Sequence, residues 1–269
     1  MATETEENPA TQSQAHSHDI LDTQIKEGMN ELDRESIGLF LSSLSAGLDI
    51  GFGPLLIAVV VTVSTGQLSP PLIEILMASA YSLGFLFVIL GQTELFTEHT
   101  TLAVLPVLDR QASILDLGRL WGLVYGGNIV GGTLFAIFVV PIGISLGVAE
   151  PSAFAEVATK LTDHSAFTLF GAGILAGWLM GLLSWLVTAS SDTIGTVAVI
   201  FIVTGAIGFM HLPHSIAGNV EVLAGLVATN EVTFADYGRF LVTSTAGNAV
   251  GGTVFVALLK YGHVVRGGS

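Results

Sequence analysis

Residues 91–98 read GQTELFTE and interrupt an apolar run that extends from 72 to 107. Residues 210–219 read MHLPHSIAGN and interrupt a second such run, 192–227. Each run is too long for one membrane-crossing helix, which needs about 20 mostly apolar residues. Non-helical backbone at membrane depth is tolerated only where it is buried in protein or lines a cavity. Paired interruptions at corresponding places in two halves of a chain point to a transport site. Four uninterrupted runs, 36–65, 117–147, 167–189 and 240–260, complete a set of six spans.

The two halves also repeat in sequence. GNIVGGTLF at 127–135 returns as GNAVGGTVF at 247–255, and AGLDIG at 46–51 returns more weakly as AGWLMG at 176–181. Three spans per half make the second half enter the bilayer from the opposite side. The expected fold is therefore an all-α polytopic membrane protein with two inverted three-helix repeats, its second and fifth helices broken.

Composition agrees. Among 269 residues 51% are hydrophobic and 11% charged, less than half the charge of an ordinary soluble domain. Eight Lys+Arg against 22 Asp+Glu give a formal charge of −14, which excludes a nucleic-acid-binding face. So much acid with so little lysine fits a salt-adapted prokaryotic source. There is no cysteine, hence no disulfide and no thiolate metal site. Residues 1–35 hold nine acids and two bases, and are expected to be a largely disordered acidic tail without a signal peptide. The channel domain is placed at 36–262, with 263–269 as a short second tail. With both termini cytoplasmic, six bases (Lys26, Arg34, Arg110, Arg119, Lys260, Arg266) lie inside and two (Lys160, Arg239) outside, as the positive-inside rule requires of a multi-pass plasma-membrane protein.

The segments YSLGFLFVILGQTELFT (81–97), GNIVGG (127–132), GILAGWLMGLLSW (173–185), HSIAGN (214–219) and GNAVGG (247–252) resemble the formate/nitrite transporter family, in a less-characterised branch where ELFTE recurs. The resemblance covers about 36–260. It implies a homopentamer in lipid, each aquaporin-like protomer having its own pore for a small monocarboxylate or inorganic anion, with no cofactor. It makes His214 the central histidine, Thr97 the hydroxyl facing it and Phe96 a neck residue beside the acid Glu94. Tyr81 becomes a second neck candidate, and Lys160 an anion-gathering lysine between the third and fourth spans.

The residue chemistry supports a polar centre there. Imidazole changes charge near neutral pH, and a hydroxyl donates and accepts without carrying charge. A bare ion in a dry constriction costs far more than the roughly 4 kcal/mol needed to protonate an acid of pKa ~4 at pH 7. Proton-linked passage through the histidine is thus expected. His211 rivals His214 for the central place, and a helix-capping role competes with a functional one for either. Phe96 reads equally as core packing and Lys160 as a snorkelling side chain. Asn128 and Asn248, at equivalent repeat positions, either line the pore or bond between helices, while their GxxxG glycines serve close packing.

Several positions depart from the family pattern. Asn219 stands one place later than the family asparagine, and Gly177 replaces another asparagine. Glu98 and Glu221 add acids near the breaks, which are costly to bury and call for water, pairing or function; Glu221 either holds His214 protonated or sits at the rim. Asp49 should face a vestibule or a partner. Other activities are not supported. The elbow-like GISLG at 143–147 closes an apolar helix rather than a strand. The tripeptide NPA at 8–10 occurs once and in the tail, and there is no Walker-type loop or dependable metal-ligand spacing. A pH-independent channel for neutral solutes is the competing function.

Overall fold

The computed structural model describes residues 17–266 and is helical throughout, without strands among those residues. The elements, in order, are α1 (Ser17–Asp33), α2 (Ser36–Asp49), α3 (Phe52–Ser64), α4 (Pro70–Leu90), α5 (Phe96–Leu102), α6 (Leu105–Leu108), α7 (Ile114–Ser145), α8 (Pro151–Thr162), α9 (Ala166–Ala189), α10 (Thr193–Phe209), α11 (Ser215–Ala228), α12 (Phe234–Val250), a π-helical stretch (Gly251–Leu258) and α13 (Leu259–Arg266). Five helical stretches are long and apolar enough to cross a membrane: Ser36–Ser64, Pro70–Leu90, Ile114–Ser145, Ala166–Ala189 and Phe234–Arg266. Two shorter apolar helices, Thr193–Phe209 and Ser215–Ala228, occupy the remaining apolar run. Large apolar side chains such as Leu115, Phe138, Phe167 and Ile194 point outward, as lipid-facing residues do.

The first span is divided between α2 and α3 at Ile50–Gly51. Pro54 has no N–H to offer the Ile50 carbonyl one turn back, so the ladder is interrupted there. Elsewhere the helices approach closely, α2 against α7 and α9 against α12. The glycines of the repeated segment permit it. A Cβ on Gly131 would run into the Leu44 carbonyl, and one on Gly251 into the Ile174 carbonyl.

Both breaks end the preceding helix in the same way. Gln92 (φ 54°) and His211 (φ 49°) adopt the left-handed conformation. The Thr93 N–H donates to the Val88 carbonyl at 3.1 Å, and the Leu212 N–H to that of Ile207 at 3.1 Å. These are Schellman ends in which a long side chain takes the place that glycine usually fills.

The expectation of a largely disordered 1–35 needs correction. Residues 1–16 lie outside the described residues, but Ser17–Asp33 is a helix with Ile20, Leu21, Ile25 and Leu32 buried. Those apolar residues recur at helical spacing among the acids, and the charge count alone conceals them. Gln24 anchors the helix, its Nε2 donating to Ser184 Oγ (3.0 Å) and Thr188 Oγ1 (3.3 Å) of α9. Replacing Leu21 and Ile25 together by aspartate should undock α1. Trypsin cleavage at Lys26 and Arg34 should then speed up by about tenfold or more; an unchanged cleavage rate would refute the docking. The sequence reading also omitted α8, a short amphipathic helix between α7 and α9.

Candidate permeation site

The two breaks meet at the centre of the molecule, each held by one asparagine. Asn128 Oδ1 accepts from the Phe96 N–H (2.8 Å), while its Nδ2 donates to the carbonyls of Ser43 and Glu94 (both 2.8 Å). Asn248 repeats the pattern: Oδ1 accepts from the Ser215 N–H (2.8 Å), and Nδ2 donates to Gly173 and Pro213 (both 2.9 Å). Both side chains are wholly buried. With both N–H groups spent on backbone, neither amide has a donor left to offer a solute.

His214 is the N-cap of α11. Its Nδ1 accepts from the backbone N–H of Ile216 (3.3 Å) and of Ala217 (3.1 Å), and its Nε2 lies 2.7 Å from Thr97 Oγ1. The hydrogen-bond network assigns the tautomer. Since Nδ1 accepts, the neutral ring carries its proton on Nε2 and donates it to Thr97. A second proton would have to displace both backbone N–H groups from Nδ1 at the positive end of a helix. The helix cap and the contact with Thr97 therefore coexist in one side chain. Phe85 is fully buried and meets the His214 ring edge-on at 5.0 Å; the Tyr81 ring lies 5.1 Å beyond Phe85.

Cavities lie on either side of this centre. On the α8 side an open cavity of about 550 Å³ is lined by Lys160, Asp163, His164 and His211, among others. Sharing Lys160, Leu161, His211 and Leu212 with it is a throat of about 20 Å³, lined also by Tyr81, Glu221 and apolar neighbours. On the α1 side a cavity of about 590 Å³ is lined by Glu27, Glu31, Glu94, Glu98 and Arg34, among others. In α1, burial and then the neighbouring Glu31 carboxylate push the Glu27 carboxyl above its usual range.

The sequence candidates thus fall into separate groups. Thr97 and His214 form the buried centre, while Tyr81, Glu221 and Lys160 line the throat. Lys160 is not free, because its Nζ is 3.0 Å from Glu74 Oε1 and 3.5 Å from Glu156 Oε1. His211 Nε2 stands 2.9 Å from Glu74 Oε2, an approach without hydrogen-bond alignment. His211 is therefore a partly exposed residue of the α8-side mouth, unlike the buried His214.

Glu94 and Glu98 line the α1-side mouth. Glu94 is ion-paired with Arg34 and bonded to His99 Nε2 at 2.7 Å. Phe96 packs edge-on against Trp121 (5.7 Å) and Tyr125 (5.0 Å) and lines neither mouth nor throat. Asn219 turns away as well, with Oδ1 accepting from the Tyr237 hydroxyl at 2.6 Å. Asp49 accepts from Ser45 at 3.1 Å, one turn back in α2.

Three contributors escaped the sequence reading: Phe85, Glu74 and Arg34. Phe85 was the most accessible, since it follows Tyr81 by four residues and so shares its helix face.

The chain matches the family model described as "Formate/nitrite transporter" over residues 18–262. It is 30% identical to the inner membrane protein YfdC of Escherichia coli (strain K12), over 89% of this chain and 76% of that protein. Among solved structures, an "FNT family ion channel" superposes with a TM-score of 0.80 at 24% identity, covering 91% of this chain and 98% of that one. A "Pentameric formate channel with formate bound" gives 0.71 at 24% identity, with coverage of 86% and 98%. These two structures establish likeness of fold. With its apolar helices and a family match along most of its length, the chain is a multi-pass membrane protein and belongs to the formate/nitrite transporter family.

Proposed function

We propose that this protein is a channel for small monovalent anions of weak acids, of the formate or nitrite class, coupled to protons. Six spans in two inverted repeats would form each protomer's pore, with five protomers in the plasma membrane. Both termini are assigned to the cytoplasm, making the α1-side cavity the inner mouth and the α8-side cavity the outer. The observation that carries the reading is the Thr97–His214 contact of 2.7 Å, buried where the two breaks meet and lying between opposed cavities. The channel domain at 36–262 would act without a cofactor.

In this reading the neutral His214 ring and the Thr97 hydroxyl form the central polar station. The Nε2–H can swing from Thr97 Oγ1 to a solute oxygen, and Thr97 can donate in turn. Neither has to become charged, which suits a dry site where a bare ion is costly. Phe85 and Tyr81 close the outer neck. Lys160 gathers anions, its charge shared with Glu74. Asn128 and Asn248 are assigned to bracing the breaks. Family membership and the formate-binding structural neighbour support the substrate class.

The test is formate uptake into proteoliposomes of purified protein at about pH 5.5 and about pH 7.5, the range over which histidine chemistry operates. Uptake should rise at the lower pH. It should fall by about a hundredfold in His214→Ala, with Thr97→Ser close to wild type and Thr97→Val strongly impaired. Uptake indifferent to all three substitutions would overturn the reading. A neutral-solute channel is the second reading, and the excess of carboxyls at the α1-side mouth favours it. Glycerol flux independent of pH, without formate flux, would establish it instead.

A further inference from the structure

The outer throat contains an acid where an anion has to pass. Glu221 is only 7% exposed and lines a space of about 20 Å³, room for about one water molecule. It lies seven residues after His214, two turns along the same face of α11. Tyr81 faces it from α4, Lys160 from α8 and His211 from the second break. On α12 the titratable Tyr237 is turned to Asn219 instead. The two basic neighbours are engaged with Glu74, at 3.0 and 2.9 Å. Among the described residues the Glu221 carboxyl has neither a hydrogen bond nor an ion pair.

An anion and a carboxylate cannot occupy a one-water throat together without severe like-charge repulsion. The space is passable when one proton is shared between them. His214 is poorly suited to supply it, since Nδ1 is committed to the helix cap.

We propose that Glu221 is the proton-exchange group of this channel, protonating the permeating weak-acid anion in the outer throat. The O–H bond of the Glu221 acid breaks as an O–H bond forms on the anion. The neutral acid moves inward past Phe85 to Thr97 and His214. The Glu221 carboxylate left behind takes its next proton from hydronium in the water of the outer mouth, and the cycle reverses for export. This inference rests on the anion reading above and locates its proton coupling.

The experiment uses full-length protein in proteoliposomes carrying an internal pH dye, with formate as the probe. Wild type should take up one proton with each formate. Glu221→Gln, nearly identical in shape, should lose formate uptake by about tenfold or more and flatten its pH profile. Glu221→Asp, which keeps the acid, should restore both proton uptake and pH dependence. Formate flux and proton uptake in Glu221→Gln equal to wild type would overturn the proposal and leave the anion reading intact. Equal loss in Glu221→Gln and Glu221→Asp would also overturn it, by marking the residue as structural. Wild-type protein that passes no formate at any pH would refute the anion reading itself.

Discussion

Replacing Asn248 by leucine should cost the protein its folded core, with a drop of about 10 °C or more in the unfolding temperature of the detergent-solubilised protein. The side chain satisfies three buried backbone groups at once: the Ser215 N–H and the carbonyls of Gly173 and Pro213. Leucine has similar bulk and no polar atom, so the Ser215 N–H and the Pro213 carbonyl would be left in an apolar interior, while the Gly173 carbonyl keeps its bond within α9. Each unsatisfied group costs about 1–3 kcal/mol, toward the lower end where a membrane protein can find substitutes. The two together amount to about 2–4 kcal/mol, a large part of a typical stability of about 5–15 kcal/mol. Asn248→Asp keeps the acceptor but turns a carboxylate oxygen on the two carbonyls, and should be at least as damaging as leucine. Asn128→Leu should behave alike, because it strips Phe96, Ser43 and Glu94 of the same partners. Thermal unfolding followed by tryptophan fluorescence would check this. A leucine variant melting within about 2 °C of wild type would mean that the breaks are not held by these amides.

Gly177→Val should be nearly as damaging for a steric reason. A Cβ at Gly177 would overlap the Asn248 carbonyl oxygen and lie 2.6 Å from Asn248 Cα. The obstacle is backbone, so no rotamer change relieves it and α9 must move away from α12. That movement stretches the Asn248–Gly173 bond crossing the same interface. Overpacking of about 1–3 kcal/mol is thereby added to a lost buried hydrogen bond. Gly47, whose Cβ would meet Asn128 in the same manner, should repeat the effect. Gly171 is the control: it lies in α9 with nothing within 4 Å of its Cβ. Gly171→Ala should leave stability unchanged or improve it by up to about 1 kcal/mol through helix propensity. Equal melting temperatures for Gly177→Val and Gly171→Ala would refute the close approach.

These two cases show why parts of the site were readable in the chain. The repeated GNxVGG segments put an asparagine and two packing glycines at equivalent positions, and the breaks GQTELFTE and MHLPHSIAGN marked where helices stop. Gly177 read as a missing pore asparagine. The structure gives it a different place, against the Asn248 backbone. The choice of His214 over His211 rested on the HSIAGN match alone, since residue chemistry does not separate them. Three residues apart in one break, they differ in what approaches from elsewhere: Glu74 from α4 for His211, Thr97 from α5 for His214. The α1 helix was missed because its acids outweigh its apolar face in any count of composition.

The sequence by itself determined the apolar spans, the two interruptions and their repetition. All of these are local in the chain, set by how many successive residues tolerate lipid and where the backbone cannot stay helical. The tertiary structure decided what each interruption touches. It put His214 both on a helix cap and against Thr97, tied Lys160 to Glu74, and set Glu221 in the throat. Those outcomes join residues far apart in the chain, Thr97 and His214 by 117 positions. They depend on how closely glycines let helices approach, and no local pattern of residues encodes that distance.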